Sequence, residues 1–215
     1  MSALAELTAG IIPGMDFVEE VIPLAEGELA LLRPRDSEVL LREEAFEREE
    51  LLPYWAELWP SGVALARVLR GRSLRGARTL ELGCGLGAAS IAAALAGGRV
   101  LATDWSEPAL AMTRRNATRN GAAVETARCT FFDAPRLRGK HAWDLVLAAD
   151  VLYERRNVPL LLDVLPRLPA PGGEVLLADP GRPAAPEFLL RARDSWNIRT
   201  TGIDNVAVHR LRPLA

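Results

Sequence analysis

The chain has 215 residues, of which 49% are hydrophobic and 25% are charged, and its formal net charge at pH 7 is −2. This length suits a single α/β domain and leaves little room for a second one, while the near-neutral charge argues against a nucleic-acid substrate. No apolar run reaches the roughly 18 residues that a membrane-spanning helix requires, so we expect a soluble protein.

The first ten residues, MSALAELTAG, lack a basic region followed by an apolar core, so we expect no secretory leader and a cytoplasmic location. Cys84 and Cys129 are the only cysteines and lie far apart in sequence, which argues against a disulfide. Together with His141 and His209 they make a poor zinc site, because the spacing is wide, and we expect no metal.

The N-terminal quarter of the chain predicts a small β structure followed by an acidic segment. From Asp16 to Arg42 short alternating runs are punctuated by Pro23, Gly27 and Pro34, which is typical of strands or hairpins. An acidic bias then peaks in Glu43, Glu44, Glu47, Glu49 and Glu50. These acids are either a solvated helix face or a dock for a lysine-rich partner. We predict an N-terminal β/helical appendage over residues 1–50 and a main domain over residues 51–215.

A block of aromatic residues precedes the first predicted helix of the main domain. It reads PYWAELWPSG from Pro53 to Gly62, and the helix begins near Ser61. Trp55 is equally well explained as a side chain that fastens the N-terminal part to the core. Trp59 lies beside the helix start, which favours a role as a wall of a ligand pocket.

The centre of the sequence is the stretch from Thr79 to Asp104, which predicts a strand, a glycine-rich turn, an alanine-rich helix and a second strand ending on an acid. Gly83, Gly85 and Gly87 let the backbone approach a ligand closely, and the helix start offers free N–H groups. This arrangement favours an adenosine-containing ligand. Such turns serve both dinucleotide enzymes and methyltransferases.

The remaining elements alternate between helix and strand. A helix capped by Ser106 runs to Gly121. The rest, in order, are predicted as a strand Val124–Arg128, a strand Trp143–Asp150, a helix Asn157–Leu168, a strand from Gly173 to Asp179, a helix Ala184–Asp194, and two strands between Asn197 and Arg212. This order predicts a Rossmann-like doubly wound sheet of seven strands, mostly parallel, with an antiparallel C-terminal hairpin.

Acidic residues lie at or near the predicted carboxyl ends of five strands, where such sheets bind their ligands. They are Glu81, Asp104, Asp133, Asp150 and Asp179. Any one of them could be a helix cap. Five together favour a functional site along this edge of the sheet.

The residues around the glycine turn discriminate between the two ligand classes. Gly83, Gly85 and Ala88 match the dinucleotide fingerprint, with Asp104 as its ribose-binding acid. However, Glu81 precedes the turn, and its carboxylate would repel a pyrophosphate but attract the ammonium group of S-adenosyl-L-methionine. The turn therefore favours S-adenosyl-L-methionine as the cofactor.

Several blocks together resemble the class I, or seven-beta-strand, S-adenosylmethionine-dependent methyltransferases, and among these the protein-lysine methyltransferases. They are PYWAELWPSG, ELGCGLG from Glu81 to Gly87, ATDW from Ala102 to Trp105, and AADVLY from Ala148 to Tyr153. The last block is similar to the family's Asp-x-x-Tyr/Phe signature. With DPGRP at Asp179 to Pro183, the chain is most similar to the group that contains the electron transfer flavoprotein β-subunit lysine methyltransferase and its bacterial relatives.

The resemblance implies a role for individual residues of the main domain. Contacts to the cofactor are implied for Trp59, Glu81, Gly83, Cys84, Gly85, Asp104, Trp105, Phe132, Asp133 and Ala149. Within this set Asp104 would bind the ribose hydroxyls and Trp105 would flank the adenine. Asp150 and Tyr153 would be catalytic, the first holding the incoming amine and the second lining the lysine channel. The alternatives are a helix N-cap for Asp150 and plain packing for Tyr153.

These residues predict an N-methyltransferase that modifies lysine side chains of a protein substrate. The same scaffold and cofactor would also serve methylation of a small amine or a heterocyclic nitrogen. A cofactor-binding module without activity and a nucleotide oxidoreductase are further alternatives. Glu81 and Gly87 argue against the oxidoreductase, and the presence of Asp150 and Tyr153 argues against the inactive module.

Overall fold

A computed structural model of the chain describes residues 15–40, 53–130, 133, 136–137 and 142–214. The predicted acidic segment at Glu43–Glu50 lies outside these residues, as do Phe132 and His141. Strands β1 (Phe17–Pro23) and β2 (Glu28–Pro34) pair as an antiparallel hairpin, which confirms the predicted N-terminal β structure.

The main sheet has seven strands in the order β5-β4-β3-β6-β7-β9-β8. Their bounds are β3 Arg78–Leu82, β4 Arg99–Asp104, β5 Val124–Arg128, β6 Trp143–Ala149, β7 Pro169–Asp179, β8 Trp196–Ile203 and β9 Val206–Pro213. Strands β3 to β7 pair in parallel, and β9 pairs antiparallel with both β7 and β8. The predicted fold class is confirmed, including the turn at Asp204 and Asn205, whose φ angles are 49° and 66°.

Five α-helices connect these strands within the described residues. They are α1 (Pro60–Arg70), α2 (Ala88–Leu95), α3 (Glu107–Arg119), α4 (Asn157–Val164) and α5 (Ala185–Ala192). Side chains of α1 and α2 pack on one face of the sheet, and those of α4 and α5 pack on the other. None of the helices that the structure describes is long and apolar enough to cross a membrane.

Two predicted boundaries differ from the structure by four residues, both near a proline. Helix α4 ends at Val164 and not at Leu168, and a 3₁₀ turn over Leu165–Arg167 follows it. Pro166 lies in this turn, where its ring and missing N–H oppose a further α-helical turn. Strand β7 begins at Pro169 and not at Gly173, because the register beside Trp143 is irregular and admits the glycines into the strand.

The hairpin is fastened to helix α3 by buried amide side chains. Asn116 accepts a hydrogen bond from Leu32 N at 2.8 Å and donates to Leu32 O at 3.1 Å and to Leu86 O at 2.9 Å. Trp55 packs into a cluster that includes Phe17, which supports the interpretation that Trp55 attaches the N-terminal part of the chain to the core. The division at residue 50 stays a prediction, although the described hairpin shares its core with the main domain.

Candidate active site

A pocket opens at the point where the order of the sheet reverses. Strands β3 and β6 are neighbours there although α2, β4, α3 and β5 separate them in sequence, and doubly wound sheets bind ligands outside the carboxyl ends of such strands. The pocket encloses about 370 Å³, including its open mouth. Six of the predicted cofactor residues line it: Trp59, Glu81, Gly83, Cys84, Gly85 and Ala149.

The glycine turn at the end of β3 combines an open side with a tightly packed side. Gly83 has φ 68°, and a Cβ atom placed there would meet nothing within 4 Å, so the backbone on the pocket side is bare. Gly87 has φ 86°, and a Cβ atom there would lie 2.8 Å from Thr113 Cγ2 in helix α3. Gly87 therefore allows the close approach of α3, while Gly83 leaves space for a ligand.

Glu81 places a buried carboxyl group beneath the pocket. Its side chain accepts a hydrogen bond from Ser90 N at 2.9 Å and another from Ser90 Oγ, and the residue is 1% exposed. Burial raises the pKa of Glu81 to about 8, because the charged form loses its hydration. The group is therefore mostly protonated at neutral pH until a cation enters the pocket.

Asp104, at the end of β4, ties this strand to the glycine turn. Its Oδ2 accepts from Gly85 N at 3.0 Å and its Oδ1 accepts from Ser106 N at 2.9 Å. Burial raises the pKa of Asp104, although these backbone donors oppose that shift. The next residue, Trp105, leaves its side chain partly exposed, and its carbonyl accepts from Arg128 Nε at 2.9 Å.

Two other predicted cofactor residues have local partners. The Cys84 thiol is buried and accepts a hydrogen bond from Thr113 Oγ1 at 3.3 Å, and burial raises the pKa of this thiol. Asp133 follows β5, which ends at Arg128 as predicted, and its carboxylate pairs with Arg136 at 3.7 Å. Its contact with a cofactor stays a prediction.

Asp150 follows β6 directly and is held by an arginine. Its Oδ1 accepts from Arg182 Nε at 2.7 Å and its Oδ2 accepts from Arg182 Nη2 at 2.9 Å. The residue is 7% exposed and has φ 57°, with its own N–H donated to Ala178 O. Helix α4 begins seven residues later, at Asn157, and its N-cap is Arg156. The helix-cap interpretation of Asp150 is therefore wrong.

Three aromatic side chains, Tyr54, Trp59 and Tyr153, surround the approach to this region, and we call them the aromatic rim. The ring centroids of Tyr54 and Trp59 are 6.2 Å apart, and those of Tyr54 and Tyr153 are 5.7 Å apart. Trp59 Nε1 donates to Tyr54 O at 2.7 Å, which fixes the indole. The guanidinium of Arg182 lies over the Trp59 ring at 5.4 Å, so the rim and Asp150 share one partner.

The model of the family described as "Lysine methyltransferase" matches residues 47–192, which span the glycine turn, Asp150 and the aromatic rim. The chain belongs to the lysine methyltransferase family. It is 40% identical over 136 residues to the electron transfer flavoprotein beta subunit lysine methyltransferase of Xenopus laevis, a match that covers 60% of this chain and 53% of that protein. It is 33% identical over 158 residues to protein N-lysine methyltransferase METTL21A of Danio rerio, covering 70% and 72%.

Solved methyltransferase structures share the fold at low sequence identity. The N-methyltransferase NodS of Bradyrhizobium japonicum, in complex with S-adenosyl-L-homocysteine, superposes with a TM-score of 0.57 at 18% identity, covering 70% of this chain and 86% of that one. The 16S rRNA methyltransferase RsmC of T. thermophilus, in complex with AdoMet and guanosine, gives 0.67 at 14%, covering 94% and 52%. The chain spans about half the length of the first curated relatives that it matches.

Two residues of the candidate site, Tyr54 and Arg182, were not predicted from the sequence. Tyr54 was noted only as part of the aromatic block, and Arg182 only as part of DPGRP. A signal for Arg182 was nevertheless present, since it comes just after the end of β7 at Asp179. Strand β7 lies beside β6, and Asp150 directly follows β6. Among the residues that the structure describes, no group of three or more His, Cys, Asp or Glu side chains could hold a metal ion.

Proposed function

We propose that this protein is an S-adenosyl-L-methionine-dependent N-methyltransferase that modifies lysine side chains of a protein substrate. The observation that carries the proposal is the position of Asp150, which directly follows the pocket residue Ala149 and is linked through Arg182 to the aromatic rim. A carboxylate whose oxygens accept N–H hydrogen bonds, next to aromatic faces that pack on an aliphatic stem, suits a lysine side chain. Membership of the lysine methyltransferase family supports the same acceptor.

The pocket lining fits the cationic donor and not a dinucleotide. The buried carboxyl of Glu81 gains a partner when an ammonium group approaches, whereas a pyrophosphate would oppose its ionisation. The bare backbone at Gly83 leaves room for the methionine end of the donor. We infer that Glu81, Gly83, Cys84 and Gly85 hold this end. Contacts from Trp59, Asp104, Trp105, Phe132, Asp133 and Ala149 to the rest of the donor follow from the family resemblance.

The protein's own contribution is to orient the amine and exclude water. When bound, S-adenosyl-L-methionine supplies an electrophilic methyl group on a sulfonium sulfur. Lysine has a reference pKa near ~10.4, so the site must bind the amine and let a proton leave to solvent. Asp150 accepts N–H hydrogen bonds and so directs the lone pair towards the pocket, and the rings of the rim hold the aliphatic stem. Such orientation supplies roughly 7–11 kcal/mol of a barrier reduction.

A protein side chain can reach this site from solvent. Tyr54 is 42% exposed and Tyr153 is 41% exposed, so the rim forms a surface that a substrate lysine can enter with its amine first. A buried rim would instead favour a small amine that is enclosed completely. The open rim therefore favours the protein substrate.

The deciding experiment incubates the protein with S-adenosyl-L-methionine labelled in its methyl group and with a cell lysate. We expect a labelled protein band that yields methylated lysine on acid hydrolysis, and no label with heat-denatured enzyme. Label found only in small molecules would favour the small-amine methyltransferase. No transfer to either fraction would contradict the proposed activity.

A further inference from the structure

The proposed amine site holds a positive charge of its own. The guanidinium of Arg182 meets both oxygens of Asp150, so the pair carries no net charge. An arginine cannot lose its proton in a protein, and the charge is therefore permanent. A lone buried carboxylate at this point would instead attract and stabilise an ammonium ion.

Arg182 is fixed from its backbone as well as from its side chain. Asp179 is 1% exposed, and its Oδ1 accepts from Gly181 N and from Arg182 N, both at 2.7 Å. These bonds shape the loop after β7 so that the arginine is directed at Asp150. The indole of Trp59 covers the guanidinium on a further side. An arginine held at three points is suited to stay in place when a substrate arrives.

We propose that Arg182 is a positioning residue that aligns Asp150 and offsets its charge, so that the site takes up the substrate amine in its neutral, reactive form. This inference rests on the proposed function, which places the amine at Asp150. Methyl transfer needs a free lone pair on nitrogen, and a site that stabilised the ammonium ion would oppose the loss of the proton. The compensated pair still accepts N–H hydrogen bonds through the remaining lone pairs of Asp150.

The other ionisable groups near the pair of Arg182 and Asp150 come from the elements that surround it. Asp179 comes from the end of β7, Tyr54 from the turn before α1, and Tyr153 and Glu154 from the loop after β6. Glu57 and Glu81 line the pocket, and Asp104 is the last residue of β4. Among the described residues, Arg182 is the cation that binds the Asp150 carboxylate directly. A variant that removes this one charge therefore isolates its effect.

The test compares Arg182→Gln and Arg182→Lys with wild type, using n-butylammonium chloride as the probe of the amine site in the presence of S-adenosyl-L-homocysteine. For Arg182→Gln we expect tighter binding of the probe at pH 7 by about tenfold, because Asp150 is then uncompensated. We also expect the midpoint of the pH profile of kcat, which reports the amine as it is bound, to rise by about one unit. Arg182→Lys keeps the charge, so the midpoint of its pH profile should stay at the wild-type value. Its kcat should fall about tenfold, because lysine cannot make the two-point contact that the planar guanidinium makes with Asp150.

Arg155→Gln is the matched control, because Arg155 is an exposed arginine of the loop after β6 that pairs with Glu187 at 4.0 Å. It should leave both readouts unchanged. Equal loss of activity at every pH in both Arg182 variants, with unchanged probe affinity, would overturn the inference and leave Arg182 a purely structural role. Faster turnover in Arg182→Gln would overturn it too, since Arg182 would then block the site.

The same probe separates the inference from the proposed function. If Asp150→Asn weakens probe binding but Arg182→Gln does not strengthen it, the proposed role of Arg182 is wrong, while the proposal that the amine binds at Asp150 is retained. If Asp150→Asn leaves probe binding unchanged, the amine does not bind at Asp150, and both proposals fall. Should Arg182→Gln fold poorly, the midpoint for Arg182→Lys still decides, because an upward shift despite the retained charge would contradict charge compensation.

Discussion

Arg182 and Asp150 form a two-point ion pair, with N···O distances of 2.7 and 2.9 Å, at the adjacent carboxyl ends of two parallel strands. The two residues lie 32 positions apart in sequence. Their contact joins the proposed acceptor carboxylate to the loop of β7 and to the aromatic rim. Neither Asp150 nor Arg182 is among the residues that line the donor pocket, to which the glycine turn contributes.

This separation predicts the effect of Asp150→Asn. Transfer to lysine should fall by about a hundredfold or more, because the amide is a poorer acceptor and leaves Arg182 unpaired. The dissociation constant of S-adenosyl-L-homocysteine, measured by calorimetry, should not change. Asp163→Asn is the matched control, since Asp163 lies exposed on α4 and pairs with Arg167. Full activity of Asp150→Asn would remove Asp150 from the mechanism.

Donor binding should depend on pH through Glu81. Because its pKa is about 8 in the free protein, an ammonium-bearing donor must displace a proton below that pH. Affinity for S-adenosyl-L-methionine should therefore rise about tenfold per pH unit from about pH 6 and level off above about pH 8. Calorimetry on Glu81→Gln gives the comparison. The donor's own amine titrates in the same range, so the difference between the two proteins is the informative quantity.

Glu81 should also make the stability of the free protein depend on pH. The direction is opposite to that of donor affinity, since the free energy of unfolding should fall as pH rises. Glu81 has a folded pKa of about 8 against an ordinary value of 4.5, so the native state binds more protons between these values. Its contribution to stability is present below pH 4.5 and is lost as pH rises towards 8. Urea unfolding at pH 6 and pH 9 should show a smaller loss of the free energy of unfolding for Glu81→Gln than for wild type. Identical losses would contradict the buried, protonated carboxyl.

Gly87→Ala should destabilise the protein by about 2–4 kcal/mol, since it combines backbone strain with a collision between the new Cβ and Thr113. Gly121→Ala serves as the control, because it has φ 66° but no atom within 4 Å of its added Cβ. That variant should lose only about 1 kcal/mol from strain. Both values follow from urea unfolding. Equal losses would show that the close approach of α3 carries no energy.

Asn116→Ala should cost about 2–4 kcal/mol, because three backbone groups of the hairpin and the glycine turn lose their buried partner. Asn197→Ala, an exposed position on β8, should change stability by less than about 0.5 kcal/mol. The same unfolding experiment measures both. If Asn116→Ala unfolds the hairpin alone, in a separate transition, the division of the chain at residue 50 gains support.

The order of helices and strands and most of the pocket lining could be predicted from local patterns of residues. Buried parallel strands are continuous apolar runs, and a glycine turn must follow its strand directly, so Glu81, Gly83 and Gly85 could be placed from local pattern alone. Errors arose where the pattern was ambiguous. Pro166 lies inside the helix predicted over Asn157–Leu168, and helix α4 ends before it, at Val164.

The contacts between residues of different strands could not be predicted in this way, because they depend on how the strands are arranged in the sheet. The pairing of Arg182 with Asp150, the aromatic contact between Tyr54 and Tyr153, and the raised pKa of Glu81 all depend on the neighbours that the sheet order provides. Charge pairing and desolvation act over a few ångströms of space, whatever the separation along the chain. Local periodicity reports which face of an element is buried, but it does not report what that face will touch.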